Sequence, residues 1–119
     1  MEWLFNNDAP IYIQLAERIR RRIVSGEYAP GDRLPGVREL ASEAQINPNT
    51  VQRAMLELER MGLVYSQRAS GRNVTEDLSV IQLAREVMAA ELTDKYLQSM
   101  KELGFTVEDT MKLLSGKEN

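Results

Sequence analysis

The stretch INPNTVQRAMLELERMG, residues 46–62, constrains this chain more than any other, because it demands a helix with two unlike faces. Asn47 is a favoured N-cap residue, and Pro48, with no amide hydrogen and a preset φ, suits the first helical position. At about 100° per residue, Val51, Ala54, Met55, Leu58 and Met61 fall within one arc that must be buried. Asn49, Arg53 and Arg60 fall opposite, with Gln52 and Glu57 on the flanks. The amides at its start therefore occupy an outer face, where they add nothing to a core.

The neighbouring segments give that helix something to pack on. Tyr12, Leu15, Ala16, Ile19 and Ile23 recur at three- and four-residue spacing, which predicts a helix with Pro10 at its first position and Gly26 as its stop. GEYAPGDRLP is dense in turn formers and reads as an irregular connection. A short helix follows from Gly36 to about Ala44, with Val37, Leu40 and Ala41 inward, and QIN is a tight link to the helix at Pro48. After Gly62, LVYSQ and RNVTE are short β-prone runs around RASG, a hairpin with Gly71 near its tip. Helix, helix, turn, helix, hairpin is the order of a winged helix-turn-helix. Such a unit lays its third helix in the major groove of DNA and its hairpin against the backbone or minor groove.

From Asp77 to about Leu103 runs a long helix with one apolar stripe at Leu78, Ile81, Met88 and Leu92 and an adjoining one at Val80, Leu83, Ala84, Val87 and Leu97. So wide an apolar face needs a partner. Gly104 breaks it, and Thr106 with Asp109 starts a last short helix carrying Val107, Met111 and Leu114. The expected fold class is mainly α (α+β), with a winged helix-turn-helix over 1–75 and a two-helix dimerisation tail over 76–119.

Composition removes most other functions. Cysteine and histidine are both absent, so thiolate sites, the commonest general base and the commonest metal ligand are excluded. The carboxylates are spread over solvent faces, so neither an enzyme nor a metal site is expected, nor a cofactor. No apolar run approaches the ~20 residues of a membrane-spanning helix, and the acidic start MEWLFNNDAP is not a signal peptide, so a cytoplasmic location is expected. Net charge divides unevenly: residues 1–75 hold ten arginines against nine acids, and residues 76–119 five bases against nine acids, within a total of −3. So mild a balance argues against a nucleic-acid partner unless the cations are placed locally.

At residue level, PIYIQLAERIRRRIVSGEYAPGDRLPGVRELASEAQINPNTVQRAMLELERMGLVYSQRASG resembles the DNA-binding domain of the GntR family of bacterial transcription regulators, and INPNTVQRA resembles its YtrA-like branch. The resemblance spans residues 10 to about 75 and rests on a multi-part signature, GDRLP, RELA, NTVQRA and LERMGLV. It implies contacts to double-stranded operator DNA from Arg38, from Asn47, Asn49, Thr50, Gln52 and Arg53, and from the hairpin tip at Arg68, Ser70 and Gly71. Asn49 and Arg53 also emerge from the helical projection alone. Asparagine and glutamine can bond adenine through two edges, and arginine can fork onto guanine. Many family members carry an arginine-threonine pair where Pro48-Asn49 stands, an aromatic in place of Asn73 and a serine in place of Gly36.

The resemblance implies a homodimeric regulator, a repressor on an inverted-repeat operator, and the two apolar stripes, wider than one short last helix can cover, place its interface at Leu78, Ile81, Leu83, Val87, Met88, Leu92 and Leu97. The alternative is a winged-helix module that binds a protein rather than DNA. The 44 residues after the hairpin are too few for a separate effector domain, so an effector site is left unassigned. RIRRR, holding Arg18 and Arg20 to Arg22, reads as a solubilising outer face in preference to a phosphate site.

Overall fold

The computed structural model describes residues 3–67 and 71–117. Along the chain run α1 (Ile11–Val24), α2 (Val37–Ala44), α3 (Pro48–Arg60), β1 (Val64–Gln67), β2 (Gly71–Val74), α4 (Leu78–Glu102) and α5 (Val107–Ser115). They divide into two compact units, Met1–Ala84 and Arg85–Asn119.

In the first unit the apolar face of α3 is enclosed by α1 and α2. Leu15, Ile19 and Ile23 of α1, Leu40 of α2 and Val51, Met55 and Leu58 of α3 form one buried cluster, closed by Leu63, Val64 and Val74 from the hairpin. Asn47 caps α3 as the sequence predicts, its side-chain oxygen accepting the Asn49 amide at 2.8 Å, with Pro48 next in line. Gln45 turns the chain between α2 and α3 with φ 57°, a left-handed conformation uncommon for residues other than glycine. Pro10 is the N-cap of α1 rather than its first residue. Met61 departs from the expected buried face: it is the C-cap of α3, 37% exposed, where the helix ends and Gly62 turns the chain with φ 79°.

The connection before α2 is more ordered than its turn formers suggest. Arg33 bridges Asn73, the Leu34 amide donates to the Arg72 carbonyl at 2.9 Å, and the Val74 amide donates to the Asp32 carbonyl at 2.8 Å. Residues 32–34 thus add a third strand-like edge to the antiparallel pair of β1 and β2, whose register sets Val64 against Val74 and Gln67 against Gly71. Asn73, in place of an aromatic, donates its side-chain amide to the Gly31 carbonyl at 3.1 Å, so a hydrogen bond stands where ring packing would be.

Of the arginines of α1 only Arg21 lies on an exposed face; Arg18, Arg20 and Arg22 are engaged within the chain. Gln14, Arg18 and Arg22, spaced four apart, clasp the segment before the helix. Gln14 exchanges hydrogen bonds with the backbone of Asn6 at 2.9 and 3.0 Å, and Arg18 donates to the Leu4 carbonyl and lies over Phe5. Arg22 is only 7% exposed, 4.0 Å from the Trp3 ring centroid and paired with Glu27 at 3.1 Å. Arg20 pairs with Glu17 at 3.3 Å.

In the second unit, Thr106 and Asp109 form a reciprocal capping box at the start of α5, and Thr110 is buried with its hydroxyl donating to the Thr106 carbonyl. Two of the residues assigned to a dimer interface are covered within the single chain. Ile81, 4% exposed, belongs to the first unit's core cluster, and Met88 is 6% exposed. A side chain already enclosed has no surface left for a second copy. Leu78, Leu83, Val87 and Leu92 are exposed and Leu97 is half-buried. Ile81→Ala should therefore lower stability by ~2–5 kcal/mol, as removal of a core aliphatic does. Urea denaturation at several protein concentrations should return the same loss at each, because the side chain packs within one chain.

Candidate nucleic-acid interface

Helix α3 offers its outer face from its first turn. Asn47, Asn49, Gln52 and Arg53 are exposed and Thr50 is half-buried, while Val51, Ala54, Met55 and Leu58 are hidden beneath them. The Asn47 carbonyl oxygen is used by the cap, so its amide hydrogens are what it can offer outward.

Arg53 is held rather than loose. Its guanidinium lies 3.9 Å from the centroid of the Tyr12 ring on α1. Stacking occupies the faces of a guanidinium and leaves its in-plane N–H fork available to a base edge or phosphate. Tyr12, read from sequence only as part of an apolar stripe, thereby also orients a polar side chain on another helix. Helical spacing cannot show this, because it relates residues within one helix.

Gln52 belongs to a chain of contacts that joins the helix to the hairpin. Arg72 on β2 donates to the Gln52 side-chain oxygen at 3.3 Å and, through Nε, to Glu59 at 2.6 Å; Ser66 on β1 donates to the same carboxylate at 2.5 Å. With one lone pair of its oxygen so engaged, Gln52 keeps a second lone pair and both NH₂ hydrogens, so it retains a donor and an acceptor. Arg72 and Glu59 carried no sequence signal for this role, since they lie 13 residues apart and meet only when the hairpin folds back on α3.

Arg38, in the first turn of α2, is exposed and has no ion pair among the described residues. Gly71 opens β2 with φ 79°, a backbone conformation that glycine takes readily, and its Cβ position would lie 3.9 Å from Nε of Arg33. Arg68 and Ser70, the other expected contacts at the tip, lie outside the described residues. Arg33 was not among the expected site residues. Among the described residues no group of histidine, cysteine or carboxylate side chains could hold a metal ion, and no helix is long and apolar enough to cross a membrane.

Three helices whose third carries an exposed polar face, followed by a hairpin tied to that helix, define a winged helix-turn-helix regulator that binds DNA. Residues 11–74 match the family described as bacterial regulatory proteins, gntR family. The chain belongs to this GntR family, a family of transcription regulators and not of enzymes. It is 41% identical over 71 residues to the transcriptional repressor YtrA of Bacillus subtilis, covering 60% of this chain and 55% of YtrA. A GntR family transcriptional regulator from Listeria monocytogenes has the same fold, with TM-score 0.87 and 37% identity over 96% of this chain and 100% of that one. The DNA-binding domain of AraR, solved in complex with operator ORX1, matches 63% of this chain and 96% of its own, with TM-score 0.58 and 29% identity.

Hydrogen bonds from Ser66 first and Arg72 second hold the Glu59 carboxyl below the ordinary 4.5. A carboxyl lowered on folding adds stability above its unfolded value, and that addition is lost as pH falls through the folded value. Wild type should accordingly exceed Glu59→Gln in urea resistance at neutral pH, with the difference shrinking as pH drops below 4.5.

Proposed function

We propose that this chain is a homodimeric repressor that reads an inverted-repeat operator with α3 of each copy. The observation that carries the reading is the outer face of α3, where Asn49, Gln52 and Arg53 are exposed together and Arg53 is stacked on Tyr12 instead of being neutralised by a carboxylate. These side chains offer N–H donors and amide oxygens at the spacing of one helical turn, which matches the base edges of a major groove. Arg38 on the second helix suits the phosphate backbone, which that helix crosses in helix-turn-helix complexes. The operator complex of the AraR domain and the repressor name of YtrA support the same reading.

The second unit supports dimerisation. Leu92, Leu103, Val107 and Met111 are all more than half exposed on a unit of only two helices, an apolar surface that a second copy would cover about a two-fold axis. A dimer places two α3 helices one helical turn of DNA, or a multiple of it, apart, which is what an inverted repeat requires. Repression then follows from occupying the site that polymerase needs.

Selection of bound fragments from random DNA by the purified chain tests the reading directly, and should return an inverted repeat. On that sequence Asn49→Ala and Arg53→Ala should each weaken binding by ~1–3 kcal/mol in fluorescence anisotropy, with helix content unchanged by circular dichroism. Recovery of no enriched sequence would refute sequence-specific binding, and sedimentation of the full chain as a monomer at micromolar concentration would refute the dimer.

A further inference from the structure

We propose that Arg33 is a phosphate contact of the wing, made from the strand-like edge before α2 rather than from the hairpin itself. The proposal rests on the DNA-binding reading above. Its first support is the way the arginines of the winged-helix unit are used. Arg20 and Arg21 face Glu17, Arg22 pairs with Glu27, Arg60 with Glu57 and Arg72 with Glu59, while Arg18 is spent on the Leu4 carbonyl and the Phe5 ring. Among the described residues of this unit only Arg33, Arg38 and Arg53 face neither a carboxylate nor a backbone carbonyl. Two of those three already stand at the proposed interface on geometric grounds, Arg38 on the second helix and Arg53 on the third. The third has been given no task.

Backbone pairing fixes where Arg33 points. It bridges Asn73 while its neighbour Leu34, 3% exposed, turns into the core, so alternation along the edge directs Arg33 outward. Its guanidinium lies against Gly71 at the start of β2, with Nε 3.9 Å and a terminal nitrogen 4.0 Å from the glycine's Cβ position. The next residue of β2 is Arg72, which touches Gln52 on α3. An unneutralised cation therefore stands beside the start of β2, on the sheet face opposite the one by which Arg72 reaches α3, and the glycine next to it has no side chain to block a phosphate. A single flexible arm at a sheet rim suits the DNA backbone, which such cations position against without reading sequence.

The test is fluorescence anisotropy of the full chain on two duplexes, the selected operator and a scrambled one, over a series of KCl concentrations. Arg33→Gln should weaken binding to both duplexes by the same ratio, about fivefold near physiological salt, and reduce the slope of log K against log salt by ~1, the loss of one released counterion. Arg33→Lys should keep the wild-type slope, and Arg21→Gln, on the exposed side of α1, should keep both slope and affinity. An Arg33→Gln slope equal to that of wild type would overturn the proposal, as would a loss confined to the operator, which would make Arg33 a base reader. Wild type that binds neither duplex with salt dependence would instead overturn the DNA-binding reading, and this contact with it.

Discussion

Burial of one face of α3 against α1 and α2 is the constraint on which the rest of this structure depends. Val51, Met55 and Leu58 meet Leu15, Ile19, Ile23 and Leu40 in a single cluster, and every exposed residue of α3 is exposed because these are not. Fixing the buried arc fixes the rotation of the helix about its own axis, since side chains three and four apart share a face. The polar first turn is thereby presented outward by the core beneath it. The Asn47 cap and Pro48 add local stability at the point where the chain enters that turn.

On this scaffold, charge is sorted by position rather than by amount. The unit is close to neutral, yet its carboxylates are matched against particular arginines, with Glu17, Glu27, Glu57 and Glu59 each taking one or two. Pairing at the surface contributes little to stability, usually under ~1 kcal/mol per pair. Its larger effect here is to cancel cations on α1, at the C-terminal end of α3 and on β2, so that the remaining positive charge is local. A modest overall balance is therefore compatible with a DNA-binding family, because phosphate responds to the nearest charges once salt has screened the distant ones.

The hairpin is not an independent appendage. Val64 and Val74 insert into the core, residues 32–34 pair along its second edge, and the Arg72 and Glu59 contacts fasten it to α3. Anything that loosens Glu59 therefore reaches Gln52 through Arg72. In the same way the clasp of Gln14, Arg18 and Arg22 seats Trp3 and Phe5 beside the core, so a segment with no secondary structure of its own is ordered by cation–π and hydrogen-bond contacts.

The sequence by itself determined the helices, the caps at Asn47 and Thr106, the hairpin, and the outward placement of Asn49 and Arg53. All of these follow from spacing within one element or from the chemistry of a single residue. Ile81 and Met88 shared a stripe with Leu92, and periodicity had no means to tell a side chain enclosed by its own chain from one left for a partner. The strand-like edge at residues 32–34 was hidden because turn formers and a short edge strand look alike until a partner strand is present. Which way the Gln52 amide faces, that Arg53 rests on Tyr12, and that Arg22 is buried while Arg33 is not were decided only by the tertiary structure. Each depends on a contact between residues that no local period relates, and such contacts exist only after the core has set the elements against one another.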